Sequence, residues 1–264
     1  MAAKKSPTKP EKFVVLIPGA WMSPECWDLF RTVYEKAGYT VVAPAWPYLD
    51  KPAAELRANP PDALGSLTVG AIADHFEKII RALPVQPLLI GHSFGGLFVQ
   101  LLLDRGAGAA GVAVDPAPVG GVIPGPVSLA AAFPAIARWK GWSRPFTISR
   151  AGFASSFANT IDAQAQKLAY DKLVVPTSGR IFYQAAAGVG TFVKPKLRKQ
   201  ALLITVGEKD RTVTPYVARA TYNKQKASPA KTDFKEFPGR SHFLIAEPGW
   251  EEVANYTLDW AQNL

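Results

Sequence analysis

The chain has 264 residues, 48% hydrophobic and 19% charged, which is enough apolar side chain for one large domain and leaves no compositional ground for disorder. Thirty Lys and Arg against 21 Asp and Glu give a formal charge of +9, which steers anionic partners without identifying one. A single cysteine, Cys26, excludes an intramolecular disulfide and a cysteine-based metal cage. No run approaches the ~18 apolar residues of a membrane span, and the N-terminus lacks the apolar stretch of a secretory signal, so a globular, cytoplasmic protein is expected.

Residues 1–11 are polar and basic, and a flexible tail is expected there. They stop at the β-branched run Phe13–Pro18, which reads as a buried strand. Ser23 and Pro24 suit an N-cap and a first helical position, so about three turns of helix should run to Gly38. A second strand is expected over residues 39–44, followed by a Pro- and Ala-rich connection to Leu67 that is too long to be slack. From Thr68, Ile72, Phe76, Ile79, Ile80 and Leu83 recur at helical spacing until Pro84, with Asp74, Glu77, Lys78 and Arg81 on the wet side. Residues 86–91 read as a strand buried on both faces, 94–103 as a helix and 110–115 as the next strand. This alternation predicts an α/β fold, a mainly parallel central sheet of about six strands flanked by helices.

Residues 116–195 break the rhythm with a Pro- and Gly-rich opening, helical patches and no convincing strand. An inserted helical cap is expected there, on a core formed by 12–115 and 196–264. Its best helix carries Ile161, Ala165, Leu168 and Ala169 on one side. Phe133, Trp139, Trp142, Phe146, Phe153, Phe157, Phe182 and Tyr183 are expected mostly to fill the cap's own small core. Strands over 201–207 and 232–239 and helices over 215–226 and 248–260 resume the alternation. The basic run Lys194, Lys196, Arg198 and Lys199 precedes a strand, so it should be a solvated connection at the far end of the sheet; no nucleic-acid partner is expected.

In open parallel sheets ligands gather beyond the carboxyl ends of the strands. There, between a buried strand and a helix, stands Gly91-His92-Ser93-Phe94-Gly95. Composition predicts only about 0.08 G-x-S-x-G matches by chance, and a tight strand-to-helix turn is where such a serine is held exposed. A serine hydroxyl needs a neighbouring base, and that base needs an orienting carboxylate. Of three histidines, His75 falls on the polar side of a helix. His92 is too constrained beside Ser93 to act as its base and should pack or hydrogen-bond locally at the substrate pocket. His242 follows the last strand at the right end of the sheet and is the base by elimination. Asp210 follows strand 201–207 and is preferred as the acid; Glu208 and Asp115 stay open as support or replacement. The Phe94 N–H is expected to face an oxyanion, with the Ala20 N–H, after Gly19, as its partner. Trp21 and Met22 are expected to line the pocket or else to pack under the cap.

These residues resemble the α/β-hydrolase superfamily from residue 13 onward. IPGAWMSPECW is similar to the corresponding region of a cap-bearing subgroup that includes serine esterases, plant methyl esterases and hydroxynitrile lyases. G-H-S-F-G-G, G-E-K-D-R-T-V and G-R-S-H-F match the superfamily's triad neighbourhoods. The resemblance implies a sheet lacking the first two strands of larger members and carries the nucleophile onto Ser93, the acid onto Asp210, the base onto His242 and the oxyanion donors onto Ala20 and Phe94. Two positions depart from the pattern. Pro18 replaces the usual histidine, and Phe243 stands where the lyases carry a lysine, which disfavours cyanohydrin cleavage.

The expected activity is hydrolysis of a small-molecule carboxylic ester with an apolar acyl or alcohol group, through an acyl-enzyme and without metal or cofactor. The same machinery serves a lyase, thioesterase, lactonase or perhydrolase. A ligand-binding or signalling protein that kept the pocket is the alternative of a different class. The oligomeric state is not legible.

Overall fold

A computed structural model describes residues 11–264; apart from Glu11, the tail expected over 1–11 lies outside them. The chain runs through β1 (Lys12–Ile17), α1 (Asp28–Lys36), β2 (Tyr39–Val42), α2 (Ala53–Ala58), α3 (Val69–Arg81), β3 (Leu88–His92), α4 (Phe94–Asp104) and β4 (Ala110–Val114). After these come α5 (Pro126–Ile136), β5 (Pro145–Phe146), α6 (Arg150–Gly152), α7 (Ala163–Leu173), β6 (Thr177–Ser178) and α8 (Arg180–Ala187). The final stretch holds β7 (Ala201–Gly207), α9 (Pro215–Gln225), β8 (Thr232–Phe237) and α10 (Trp250–Gln262). Six strands form one sheet in the order β2-β1-β3-β4-β7-β8, and every neighbouring pair in it is parallel. The expected class is therefore the observed one.

Local chemistry accounts for most of these elements. β3 and β4 are buried at every position, because helices cover both faces of a parallel sheet. In α3 the Thr68 side chain caps the helix by accepting from Ala71 N at 3.0 Å, and Val69, Ile72, Ala73, Phe76 and Ile80 are buried. Phe94 to Leu103 of α4 are all buried, so this central helix shows no polar stripe. The helix expected from Pro24 starts as a 3₁₀ turn over Pro24–Trp27 before α1. The connection 44–67 holds α2 and a 3₁₀ turn over Asp62–Ser66. From α2, Arg57 donates to Val174 O at 2.5 Å and Asp171 O at 2.9 Å, capping the carbonyl end of α7.

The segment after β4 departs from expectation in three ways. It contains a strand pair, β5 antiparallel to β6, too short to leave any period in the sequence. Of the apolar side expected there, Ile161 and Ala169 pack against the core, but Leu168 of α7 is 61% exposed, and the buried residues of this helix are Tyr170 and Leu173. The aromatic residues divide: Phe153, Phe157 and Phe182 are buried, whereas Phe133 and Trp139 are 64% and 77% exposed.

The basic run before β7 also differs from a solvated connection. Arg198 is fully buried, and its guanidinium donates to the carbonyls of Gln200, Gln225 and Lys231, to Gln225 Oε1 and, at 2.5 Å, to Thr232 Oγ1. Gln225 Nε2 in turn donates to Gln100 Oε1 at 3.0 Å, so the network ties α9 to α4 and to the starts of β7 and β8. A sequence run of four cations hides such a member, because burial is decided by the acceptors that the fold assembles. Replacing Arg198 by Leu would leave these acceptors buried and unpaired and should cost about 3 kcal/mol or more, read as a lower urea midpoint with the slope retained.

Candidate active site

Ser93 sits between β3 and α4 with φ 55° and ψ −120°, a conformation that a non-glycine residue adopts only when its surroundings impose it. They do so here because α4 starts directly on the strand. The Ser93 N–H donates to Val114 O at 2.9 Å, and Ser93 O accepts from Ala117 N at 2.9 Å. The serine side chain is thereby turned toward the cavity above the sheet, of which Ser93 forms part of the wall.

His242 lies in the loop after β8, fully buried. Its Nδ1 is 2.6 Å from Asp210 Oδ2, and the pairing assigns the proton to Nδ1. Nε2 is then a bare acceptor, and it is buried with no hydrogen-bond partner. Ser93 Oγ and His242 Nε2 are not hydrogen-bonded to each other; bonds of this kind tighten when a substrate is in place. Burial pushes the His242 imidazole down from its ordinary 6.5 to about 3.

Asp210 Oδ1 accepts from the backbone N–H of Thr212 at 2.7 Å and of Val213 at 2.8 Å. Asp115, at the end of β4 with φ 44°, is also fully buried. Its Oδ1 accepts from Gly207 N at 2.8 Å, and its Oδ2 is 3.8 Å from His242 Nδ1. Burial raises both carboxyls of this pair above the ordinary range. Glu208, the other rival for the acid position, is half exposed, paired with Lys209 and bonded to Gly239 N, away from the histidine.

The N–H groups of Ala20 and Phe94 are, among the described residues, without hydrogen-bond partners. Gly19 permits their loop and turn to meet: a Cβ there would stand 2.7 Å from Ser93 Cβ. The loop is pinned by Trp46 Nε1 donating to Pro18 O at 2.9 Å, so the residue that departs from the family pattern is held through its carbonyl. Trp21, in the left-handed region at φ 66°, stacks on Phe182 with ring centres 5.1 Å apart.

The cavity beside Ser93 measures about 90 Å³, and Trp21, Phe94, Ala132, Ile148, Ala185 and Phe182 form much of its wall. A wider cleft of about 500 Å³ shares Ala131, Ile148 and Ser156 with it and carries Arg211. Met22 and His92, both expected at the pocket, form no part of the wall of this cavity. Met22 is buried and bridged to Val174; His92 is buried with Nε2 at 2.7 Å from the His242 carbonyl oxygen. His75 is half-buried rather than free on the surface, its Nε2 3.1 Å from Ala45 O.

Sequence reasoning missed Glu247, whose carboxylate accepts from Ser241 N at 2.9 Å, Ser241 Oγ at 2.5 Å and the Thr160 hydroxyl, bracing the loop that carries His242. No motif marks it. Phe157, whose ring centre is 4.6 Å from that of His242, was visible only as one aromatic among many. His92, Asp115 and His242 offer three buried donor atoms within 4.8 Å of one another, but a metal there would compete with the Nδ1–Asp210 bond that fixes the tautomer.

This strand-turn-helix serine with a buried imidazole–carboxylate pair across the same sheet edge is the arrangement of a known class. The chain belongs to the alpha/beta hydrolase family, whose profile matches residues 14–255. No curated protein matches by sequence. Among solved structures it is similar to a pyrethroid hydrolase from Sphingobium faniae JZ-2, with TM-score 0.69 and 17% identity over 96% of this chain and 98% of that one. Polyneuridine aldehyde esterase gives TM-score 0.67 and 16% identity over 96% and 100%, and an Arabidopsis methylesterase 0.68 and 13% over 96% and 100%. At these identities the likeness is one of fold. Among the described residues no helix is long and apolar enough to cross a membrane.

Because burial disfavours the imidazolium, falling pH should leave His242 neutral as it passes the ordinary 6.5 and protonate the ring only on approaching about 3. Ring ¹⁵N shifts should therefore stay those of the Nδ1–H tautomer throughout the weakly acidic range; a transition near the ordinary value would contradict the desolvated site.

Proposed function

We propose that the protein hydrolyses carboxylic esters of small molecules by a serine mechanism. The observation that carries this reading is the 2.6 Å contact between His242 Nδ1 and Asp210 Oδ2, which leaves Nε2 bare at the edge where the Ser93 turn opens. In this mechanism Ser93 Oγ passes its proton to His242 Nε2 as it attacks the ester carbonyl, and the Asp210 carboxylate stabilises the imidazolium that forms. The developing oxyanion is met by the N–H groups of Ala20 and Phe94, and each such donor typically contributes about 100- to 1000-fold in rate. His242 then returns the proton to the departing alcohol, giving an acyl-Ser93, and in a second cycle deprotonates the water that releases the acid. No step calls for a metal or organic cofactor.

The apolar wall around Ser93 favours an apolar acyl or alcohol group, and its small volume favours one of modest size, the remainder of the ester extending into the wider cleft. The activities named for the similar structures, a polyneuridine aldehyde esterase, a methylesterase and a pyrethroid hydrolase, are in keeping with this. A thioester or lactone would be attacked by the same groups.

A fluorophosphonate probe should add once to the protein, as read by intact mass. The adduct should be absent from Ser93→Ala and formed at least about 1000-fold more slowly by His242→Ala; equal labelling of Ser93→Ala would overturn the assignment. Ala132→Phe should fill the cavity, raising KM for a branched-chain p-nitrophenyl ester by about tenfold or more while a short acetyl ester is still turned over.

A further inference from the structure

Three buried carboxyls surround His242, and they are not equally provided with hydrogen-bond donors. Asp210 receives three: Thr212 N, Val213 N and His242 Nδ1. Glu247 also receives three, from Ser241 N, Ser241 Oγ and Thr160 Oγ1. Asp115 receives one, from Gly207 N to Oδ1, and its Oδ2 is buried with no partner. An ionised carboxylate so placed would be a buried charge with half its acceptors unmet, beside a second carboxylate directed at the same nitrogen, 2.6 Å from Asp210 and 3.8 Å from Asp115. Two carboxylates directed at one nitrogen repel, and the Asp210 charge disfavours ionisation of Asp115.

We propose that Asp115 is a positioning residue whose carboxyl keeps its proton and donates it from Oδ2 to the Asp210 carboxylate, so that His242 faces a hydrogen-bonded acid pair carrying one negative charge. The proposal rests on the reading of His242 as the base. Its proton inventory is simple: one proton between the two acids, one on His242 Nδ1, and none transferred from Asp115 during turnover. The ionisable groups facing Asp115 are His242 and Asp210 from the loops after β8 and β7 and His92 from β3, with the Glu247 charge further off. Burial and the Asp210 charge both act to hold the Asp115 proton, and a hydrogen bond between the two acids raises Asp115 while lowering Asp210. The backbone agrees with the choice of residue, since Asp and Asn are the non-glycine residues that best tolerate the φ of 44° found here.

Three readouts test this. The infrared difference spectrum between wild type and Asp115→Asn at neutral pH should show a protonated-carboxyl C=O band in the wild type that the variant lacks. Absence of the band, or its persistence in the variant, overturns the proposal, and this arm needs no substrate. In kinetics, Asp115→Asn removes no charge, so the acidic limb of its pH profile should stay within about 0.3 pH of wild type. An ionised Asp115 would instead have been raising the His242 pKa, and its loss would move the limb down by about one unit or more. Asp115→Ala, which donates nothing, should lower kcat/KM by about 10- to 100-fold through kcat, and Asp115→Asn, whose amide donates to Asp210, should recover most of that loss; equal damage in the two variants counts against the proposal. If no ester is turned over but the infrared band behaves as stated, the proton assignment stands and the ester reading falls.

Discussion

The site depends on how closely three stretches of backbone approach at the turn between β3 and α4. A Cβ on Gly95 would meet the Ile17 carbonyl carbon at 2.9 Å, and one on Gly96 the Pro116 side chain at 2.9 Å. The first helical turn of α4 is thus wedged between the carboxyl ends of β1 and β4, and Ser93 has no room for an ordinary conformation. The same wedge brings the Ala20 loop to one side of Ser93 and Asp115 to the other. Steric exclusion of a few methyl groups therefore does the positioning, and the strain at Ser93 is maintained by the central sheet rather than by the serine's own contacts.

A second constraint is electrostatic. Two histidines and three carboxyls lie fully or almost fully buried around one edge of the sheet, and each charge there must be met by a donor or removed by a proton. Backbone N–H groups after β7 meet Asp210, and the Ser241 and Thr160 hydroxyls meet Glu247. His92, its Nε2–H bound to the His242 carbonyl, carries no charge, since burial holds it well below its ordinary pKa. The formal +9 of the chain plays no part in this balance, because its cations are mostly outside and screened.

What the sequence disclosed follows from which of these constraints are local. The alternation of apolar runs and amphipathic stretches produced six strands and their covering helices, because periodicity is a property of neighbours in the chain. Ser93, Asp210 and His242 were legible because each ends or follows a strand, and the fold rule about carboxyl ends turns sequence order into proximity. Glu247, Phe157 and the inner role of Arg198 were not, since each acquires its meaning from partners distant in sequence: Thr160 for Glu247, His242 for Phe157, Gln225 and Thr232 for Arg198. Met22 and His92 show how adjacency in sequence leaves exposure open: on a strand or tight turn successive side chains point to opposite sides, and both are buried, Met22 bridged to Val174 and His92 at the His242 carbonyl.

The segment between β4 and β7 shows the same limit and has a further consequence. Its aromatic residues look alike in sequence, yet Phe153 and Phe157 turn inward, stack 5.1 Å apart and present Phe157 edge-on to the His242 ring, with Phe243 closing the cluster. These rings are part of what removes water from the imidazole and pushes its pKa down. Aromatic residues expected mostly to fill the segment's own small core therefore also set the electrostatic environment of the proposed base. Any movement that draws Phe157 away from His242 admits water and raises the imidazole pKa toward its ordinary value, so the placement of this segment and proton affinity at His242 are physically coupled.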